Sequence, residues 1–195
     1  GETILKNAVN MALMLIESKN NEVLSGTLTY AEAQEQVKQA LLGPMNTAGE
    51  RPNISTIDLG EHGYFIVYRS DGLEIMHPTL EGKNMWDTMD KAGKPIYIVR
   101  EQIAMAKSGG GFLTYAWNYP YSEKIGTKIS YSVMDPNWGW VVTATAYLSD
   151  FNQSTRWILY IVYSSSIVLL ILGLLISFLY IKSITRPIKA VSSAT

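Results

Sequence analysis

Residues 63–78 read GYFIVYRSDGLEIMHP, and the period of that stretch decides the fold. Aromatic and β-branched residues fill Tyr64 to Tyr68, and Asp71-Gly72 is a turn pair that favours a hairpin. Leu73 to His77 makes a second short run, which Pro78 stops. Sheet therefore begins here. Toward the C-terminus, Gly82, Lys83, Asn84, Asp90 and Gly93 mark an irregular polar connection, with Met85 and Trp86 to pin it. Pro95 suits the first turn of a helix that carries Ile96, Val99, Ile103 and Ala106 at helical spacing and stops at Gly109-Gly110-Gly111. Three further strands are expected, Phe112 to Trp117, Thr127 to Met134 and Trp140 to Tyr147, which makes five in all.

Toward the N-terminus the period changes to that of helix. Ile4, Ala8, Met11 and Leu15 form one stripe, and Leu5, Val9, Ala12 and Ile16 the adjacent one, over Thr3 to Ser18. With no charge between Lys6 and Glu17, this wide face can pack on the sheet and on a copy of itself, so a homodimer is expected. Asn20, Asn21, Ser25 and Gly26 mark a break. Thr29 and Glu32 have capping-box spacing for a second helix, with Tyr30, Ala33, Val37, Ala40 and Leu41 on one face and Gly43-Pro44 at its end. Two helices, a hairpin, a helix and three strands predict an α+β domain, its antiparallel sheet covered by a helical layer on one face.

Trp157 to Ile181 is 25 residues without a charge. As a helix it would be about 37 Å long, against a hydrocarbon core of about 30 Å. Trp157, Tyr160 and Tyr180 are placed like an interfacial belt, with Arg156 before the span and Lys182 after it. Lys182, Arg186 and Lys189 give the last 14 residues +3 with no acid, which puts that piece in the cytoplasm and the larger, acidic part outside. The opening GETILKNAV has neither a basic n-region nor a long apolar run, and reads as neither a signal peptide nor an intact first span. Expected domains are 1–152 outside, 153–182 as span with flanks, and 183–195 as the start of a cytoplasmic linker.

Several function classes have no support. There is no Cys, hence no thiol nucleophile, disulfide or thiolate metal site. GxSxG, HExxH and P-loop motifs are absent, and His62 and His77 are the only histidines. No enzyme activity, metal or cofactor is expected, and at a net charge of −1 no nucleic-acid partner.

The pieces GYFIVYRSDG, MHPTLEGKNMWD, REQIAMAKSGGGFLTYAW, KISYSVM and WGWVVTATAYLSDF, in that order, resemble a single Cache domain of type 2, a PAS-like small-ligand module of bacterial chemoreceptors and sensor kinases. ITRPIKAV after the span is similar to the opening of a HAMP linker. The resemblance implies a bacterial inner-membrane receptor, a preceding membrane span, and a pocket between the sheet and its covering loops that often takes a short carboxylate. It favours a chemotaxis transducer over a histidine kinase. A rival reading is an outer domain that binds a protein partner.

A buried carboxylate needs charge-assisted hydrogen bonds from Arg, Lys or protonated His, and Lys128, Arg100 and His77 are the candidates. Each has a plainer reading: a solvated lysine, a helix-surface ion pair, a histidine that fixes its loop. Tyr115 and Trp117, two apart on one strand, face one way; periodicity alone also allows core aromatics, while the family's YxW pair implies a pocket wall. Tyr131 matches a family pocket position, yet Lys128 lies three residues before it and so on the opposite strand face. One of these two is expected to miss the pocket.

Overall fold

A computed structural model describes residues 1–120 and 122–192, with side chains described for 1–120, 122–151 and 158–182. The chain forms two units, Gly1–Phe151 and Asn152–Thr195. The first contains helices α1 (Glu2–Leu24), α2 (Tyr30–Leu41) and α3 (Ile98–Lys107). Its strands are β1 (Tyr64–Tyr68), β2 (Glu74–Met76), β3 (Gly111–Asn118), β4 (Ile125–Met134) and β5 (Val141–Tyr147). They form one antiparallel sheet in the order β2-β1-β5-β4-β3, so the last strand lies in the middle.

The β1–β2 hairpin closes through Arg69 N–H to Leu73 O (2.8 Å), and Asp71 is held by Arg69. Gly72 sits at φ +88°, and a Cβ there would meet the Trp86 backbone at 2.9 Å, so both conformation and space demand glycine. The α2 capping box is complete: Glu32 N–H reaches Thr29 Oγ1 at 3.3 Å and Thr29 N–H reaches Glu32 Oε2 at 2.8 Å.

The two sheet faces differ in chemistry. Phe65, Val67, Val142, Ala144 and Ile129 share a core with Leu5, Val9, Ala12 and Ile16 of α1, which packs on β4 and β5. The register puts Tyr64, Thr145, Ser130 and Lys128 on the other face together with Tyr147 and Tyr115. α3 packs over β3, β4 and β5, and Gln102 Nε2 donates to Ser130 Oγ at 2.9 Å, which places α3 on this second, polar face. The sheet is therefore covered on both faces rather than on one.

Strand ends shift by one or two residues, β4 beginning at Ile125 rather than Thr127, and other elements differ from the sequence expectation as follows. α1 continues through Asn20-Asn21 to Leu24, α3 begins at Ile98, three residues beyond Pro95, and β2 is shortened to Glu74–Met76. A single helix α4 spans Leu148–Ser192, and within it Ile158–Lys182 is long and apolar enough to cross a membrane, with mean hydropathy 2.4. The side chains of Arg156, Trp157, Arg186, Pro187 and Lys189, and the last three residues of the expected linker, lie outside the described residues.

Candidate functional site

The polar face of the sheet carries a cavity. Tyr64, Ile66 and Tyr68 of β1 make its floor with Glu74 of β2 and Tyr115 and Trp117 of β3; His77, Leu80, Met85, Thr88, Ile98 and Val99 close it from the connection and α3. It contains about 290 Å³ of atom-free space, but only about 20 Å³ can hold the centre of a water-sized sphere. That suits a molecule of a few heavy atoms. Tyr64, His77, Leu80 and Trp117 also border a wider groove, about 830 Å³ by the same measure, toward Asn53, His62, Lys91 and Tyr119.

Lys128 packs against Tyr64, which lines the cavity. It is 0% exposed, and its Nζ stands 3.4 Å from the centroid of the Tyr64 ring and 5.2 Å from that of Tyr147, with no hydrogen-bond partner among the described residues. The two rings offer their negative faces to this nitrogen but no hydrogen-bond acceptor in the plane of the ring. Burial pushes the amine well below the ordinary lysine range, against the pull of Glu74 and Asp150. Glu74, 3% exposed, has an unpartnered Oε2, and burial raises it well above the usual carboxylate range. Gln102 Oε1 is likewise unpartnered. Native interiors satisfy nearly all such atoms, which marks Lys128 and Glu74 as the open polar positions on this face among the described residues.

His77 is not a cation here. Its Nδ1 accepts the amide hydrogens of Thr79 (3.0 Å) and Leu80 (3.1 Å), which leaves the ring proton on Nε2. Burial, with Lys128 and Lys83 nearby, lowers its pKa to about 3. Histidine thus fixes its loop and also lines the cavity as a neutral group.

The structure brings His77, Tyr115, Trp117 and Lys128 together. It does not bring Arg100, 38% exposed at its side chain, whose guanidinium stacks 4.0 Å from the Tyr97 centroid, donates to Trp86 O and pairs with Asp87. Nor does it bring Tyr131, which lies on the α1 face with Phe112 (centroids 4.6 Å apart) and Lys6. Odd spacing from Lys128 sends it there. Sequence reasoning missed Tyr64, Tyr68, Glu74 and Gln102. The available signal was an acid inside an apolar strand, Leu73-Glu74-Ile75-Met76, where a carboxylate is out of place without a reason.

A five-stranded antiparallel sheet, packed by α1 on one face and by α3 on the other, with a small cavity on the α3 face, is the α+β architecture to which the comparisons apply. Residues 1–159 match the family model described as single Cache domain 2. The sensor histidine kinase MctS of Rhizobium johnstonii is 34% identical over 157 residues, 78% of this chain and 30% of that protein, so the chain spans less than a third of this curated relative. Among solved structures, a periplasmic sensor domain of a chemotaxis protein is 26% identical with TM-score 0.58, covering 74% of this chain and 92% of its own. A Cache chemosensory domain solved for carboxylic acid recognition is 24% identical with TM-score 0.59, covering 74% and 90%, and shares the fold. So does a methyl-accepting chemotaxis protein from Vibrio parahaemolyticus, 24% identical with TM-score 0.56, covering 76% and 89%. The chain belongs to the single Cache domain 2 family.

Proposed function

We propose that this chain is the ligand-sensing and transmembrane-signalling region of a bacterial receptor, and that a short carboxylate binds in the β1–β3 cavity with its oxygens on Lys128 Nζ. The observation that carries this is the buried amine of Lys128, without a hydrogen-bond partner among the described residues, against the Tyr64 ring that lines a space of a few heavy atoms. A carboxylate supplies the charge-assisted hydrogen bonds that Tyr64 and Tyr147 do not. Tyr115 and Trp117 wall the ligand's carbon chain, and the groove bordered by His77 and Trp117 is its mouth.

Residues 1–152 are the sensor, 153–182 the span with its flanks and 183–195 the start of a HAMP linker. The sensor lies outside the cytoplasm and the C-terminus inside. Lys128 pairs in register with Tyr147, the last residue of the central strand, after which Leu148 opens α4. A ligand that draws Lys128 off the Tyr64 and Tyr147 rings acts on the strand end that leads to the membrane. It signals only by binding one arrangement of that strand end better than the other. Exposed Ile4, Met11 and Met14 on α1 support a second copy as partner. We favour a chemotaxis transducer as output, with a histidine kinase as the alternative that MctS supports.

Thermal unfolding of the chain in detergent micelles against acetate, propionate, pyruvate, lactate, amino acids and amines tests the reading. Short carboxylates are expected to raise Tm with concentration. The rise is lost in Lys128→Met, reduced in Tyr115→Ala and kept in Arg100→Ala. A rise with amines alone, or one that survives Lys128→Met, overturns the site.

A further inference from the structure

Glu74 and Lys128 occupy one buried region from two sides. Glu74 lines the cavity from the β2 edge, opposite Tyr68 in register, and Lys128 on β4 stands against Tyr64, one of the rings that line it. Among the described residues neither Lys128 Nζ nor Glu74 Oε2 has a hydrogen-bond partner, so the two are not bonded to one another. As separate buried groups they are cheapest when both are neutral, and when both are ionised their charges cancel. In either condition the pair carries no net charge.

A carboxylate placed on Lys128 requires the ammonium. If the empty site holds neutral Lys128 and protonated Glu74, the amine must gain a proton. If the empty site holds both as ions, the ligand leaves Glu74 a second buried anion with its partner taken, and Glu74 must gain the proton. Both routes end at the same complex: ammonium, ligand carboxylate and protonated Glu74. We infer that each carboxylate enters this cavity together with one proton, so that the sensor reads the acid rather than the anion, with the Glu74–Lys128 pair as the element that selects for it. The inference rests on the carboxylate reading above.

Among the surrounding described groups, the His62–Asp150 pair is the one other place for the proton, and the experiment below separates it from Glu74. Tyr64 and Tyr68 on β1, Tyr115 on β3 and Tyr147 on β5 are phenols, whose burial holds them neutral. His77 offers its Nδ1 lone pair to two amides. Glu81 is paired with Arg51 and Lys38, and Lys83 is the cation beyond His77. α3 brings Ile98, Val99 and Gln102, none of them ionisable. On the Lys128 side, Asp150 accepts the His62 amide at 3.0 Å and faces the His62 ring at 3.2 Å.

Isothermal titration of the full chain in detergent micelles with propionate, lactate or pyruvate, repeated in phosphate and in Tris, counts the protons from the buffer dependence of the heat. About one proton per carboxylate is expected, with Kd rising about tenfold for each unit increase between about pH 6 and about pH 8, where these ligands are ionised. The bound complex is expected to show the infrared C=O stretch of a protonated carboxyl that disappears in Glu74→Gln. Uptake is expected to survive His62→Gln. Carboxylate binding without proton uptake, without that stretch, or with uptake lost in His62→Gln overturns the inference and leaves the carboxylate reading standing. Absence of binding by all three acids overturns the carboxylate reading and the inference with it.

Discussion

His77 joins the covering loop to the cavity through two amide hydrogen bonds, and its protonation would break both. Because its pKa falls from 6.5 to about 3 on folding, the unfolded chain binds the extra proton first. Its stabilising contribution is therefore complete above about pH 6.5 and is lost progressively as the pH falls toward 3. In His77→Asn an amide oxygen can take the same N–H groups without titrating, so Tm followed by circular dichroism is expected to fall less steeply than wild type from about pH 6.5 to about pH 4. Lys128 sets the opposite balance of ligand and stability. Lys128→Met removes a buried amine that lacks a partner, so urea unfolding without ligand is expected to show a gain of about 1–3 kcal/mol while the carboxylate response disappears. Of the site, what strand alternation controls was legible in sequence: Tyr115 and Trp117 on one face of β3, and Lys128 and Tyr131 on opposite faces of β4, while the register that puts Lys128 beside Tyr115 was not. Glu74 and Tyr64 were not, because their approach to Lys128 depends on β5 inserting between β1 and β4, which no local pattern encodes.

At the scale of elements, turn residues and caps were readable, and the departures have tertiary causes. α1 runs past Asn20 because that side chain is engaged elsewhere: it accepts Trp138 Nε1–H at 2.9 Å and donates to Asn137 at 3.4 Å. An asparagine that could end a helix here anchors one to the β4–β5 turn. Pro95 does not start α3 because Asp90 organises the preceding residues, with Oδ1 accepting Ala92 N–H at 2.8 Å and Oδ2 accepting Ala116 N–H at 2.7 Å. Arg51, 1% exposed, ties three elements that sequence showed only as a helix and two loops. Its guanidinium makes paired contacts to Glu35 of α2 (2.9 and 2.8 Å) and to Glu81 after β2 (2.7 and 3.3 Å), and donates to Gly43 O at 3.0 Å. Arg51→Ala is expected to cost about 3 kcal/mol in urea unfolding, the low end for a broken buried pair because Lys38 still faces both acids. The hydrogen bonds from Arg51 hold Glu35 at about 2, down from 4.5. The stability this acid adds is present above about pH 4.5 and lost as pH falls toward 2, and the same variant is expected to flatten that acid limb.

For the whole molecule, the proposed topology combines two physical facts that are separate in the chain. One is a polar, cavity-bearing unit that ends at Phe151; the other is an exposed helix with 25 residues, Ile158–Lys182, of a composition that water does not tolerate on all sides. The apolar helix was legible in the sequence because composition alone sets it apart, whereas the direction of crossing rests on three basic residues after the span. Lys182, Arg186 and Lys189, without an acid among the last 14 residues, favour the cytoplasmic side, while a large outer domain exerts little control by its charge. The absence of cysteine makes this directly measurable. A cysteine at Ala48, exposed in the loop after α2, is expected to react with a membrane-impermeant maleimide on intact spheroplasts. One at Ser192 is expected to react only after permeabilisation, with both labelled in detergent. Labelling of Ser192→Cys on intact cells, with Ala48→Cys protected, would reverse the direction of crossing and place the cavity in the cytoplasm. Protection of neither would show that Ile158–Lys182 does not span.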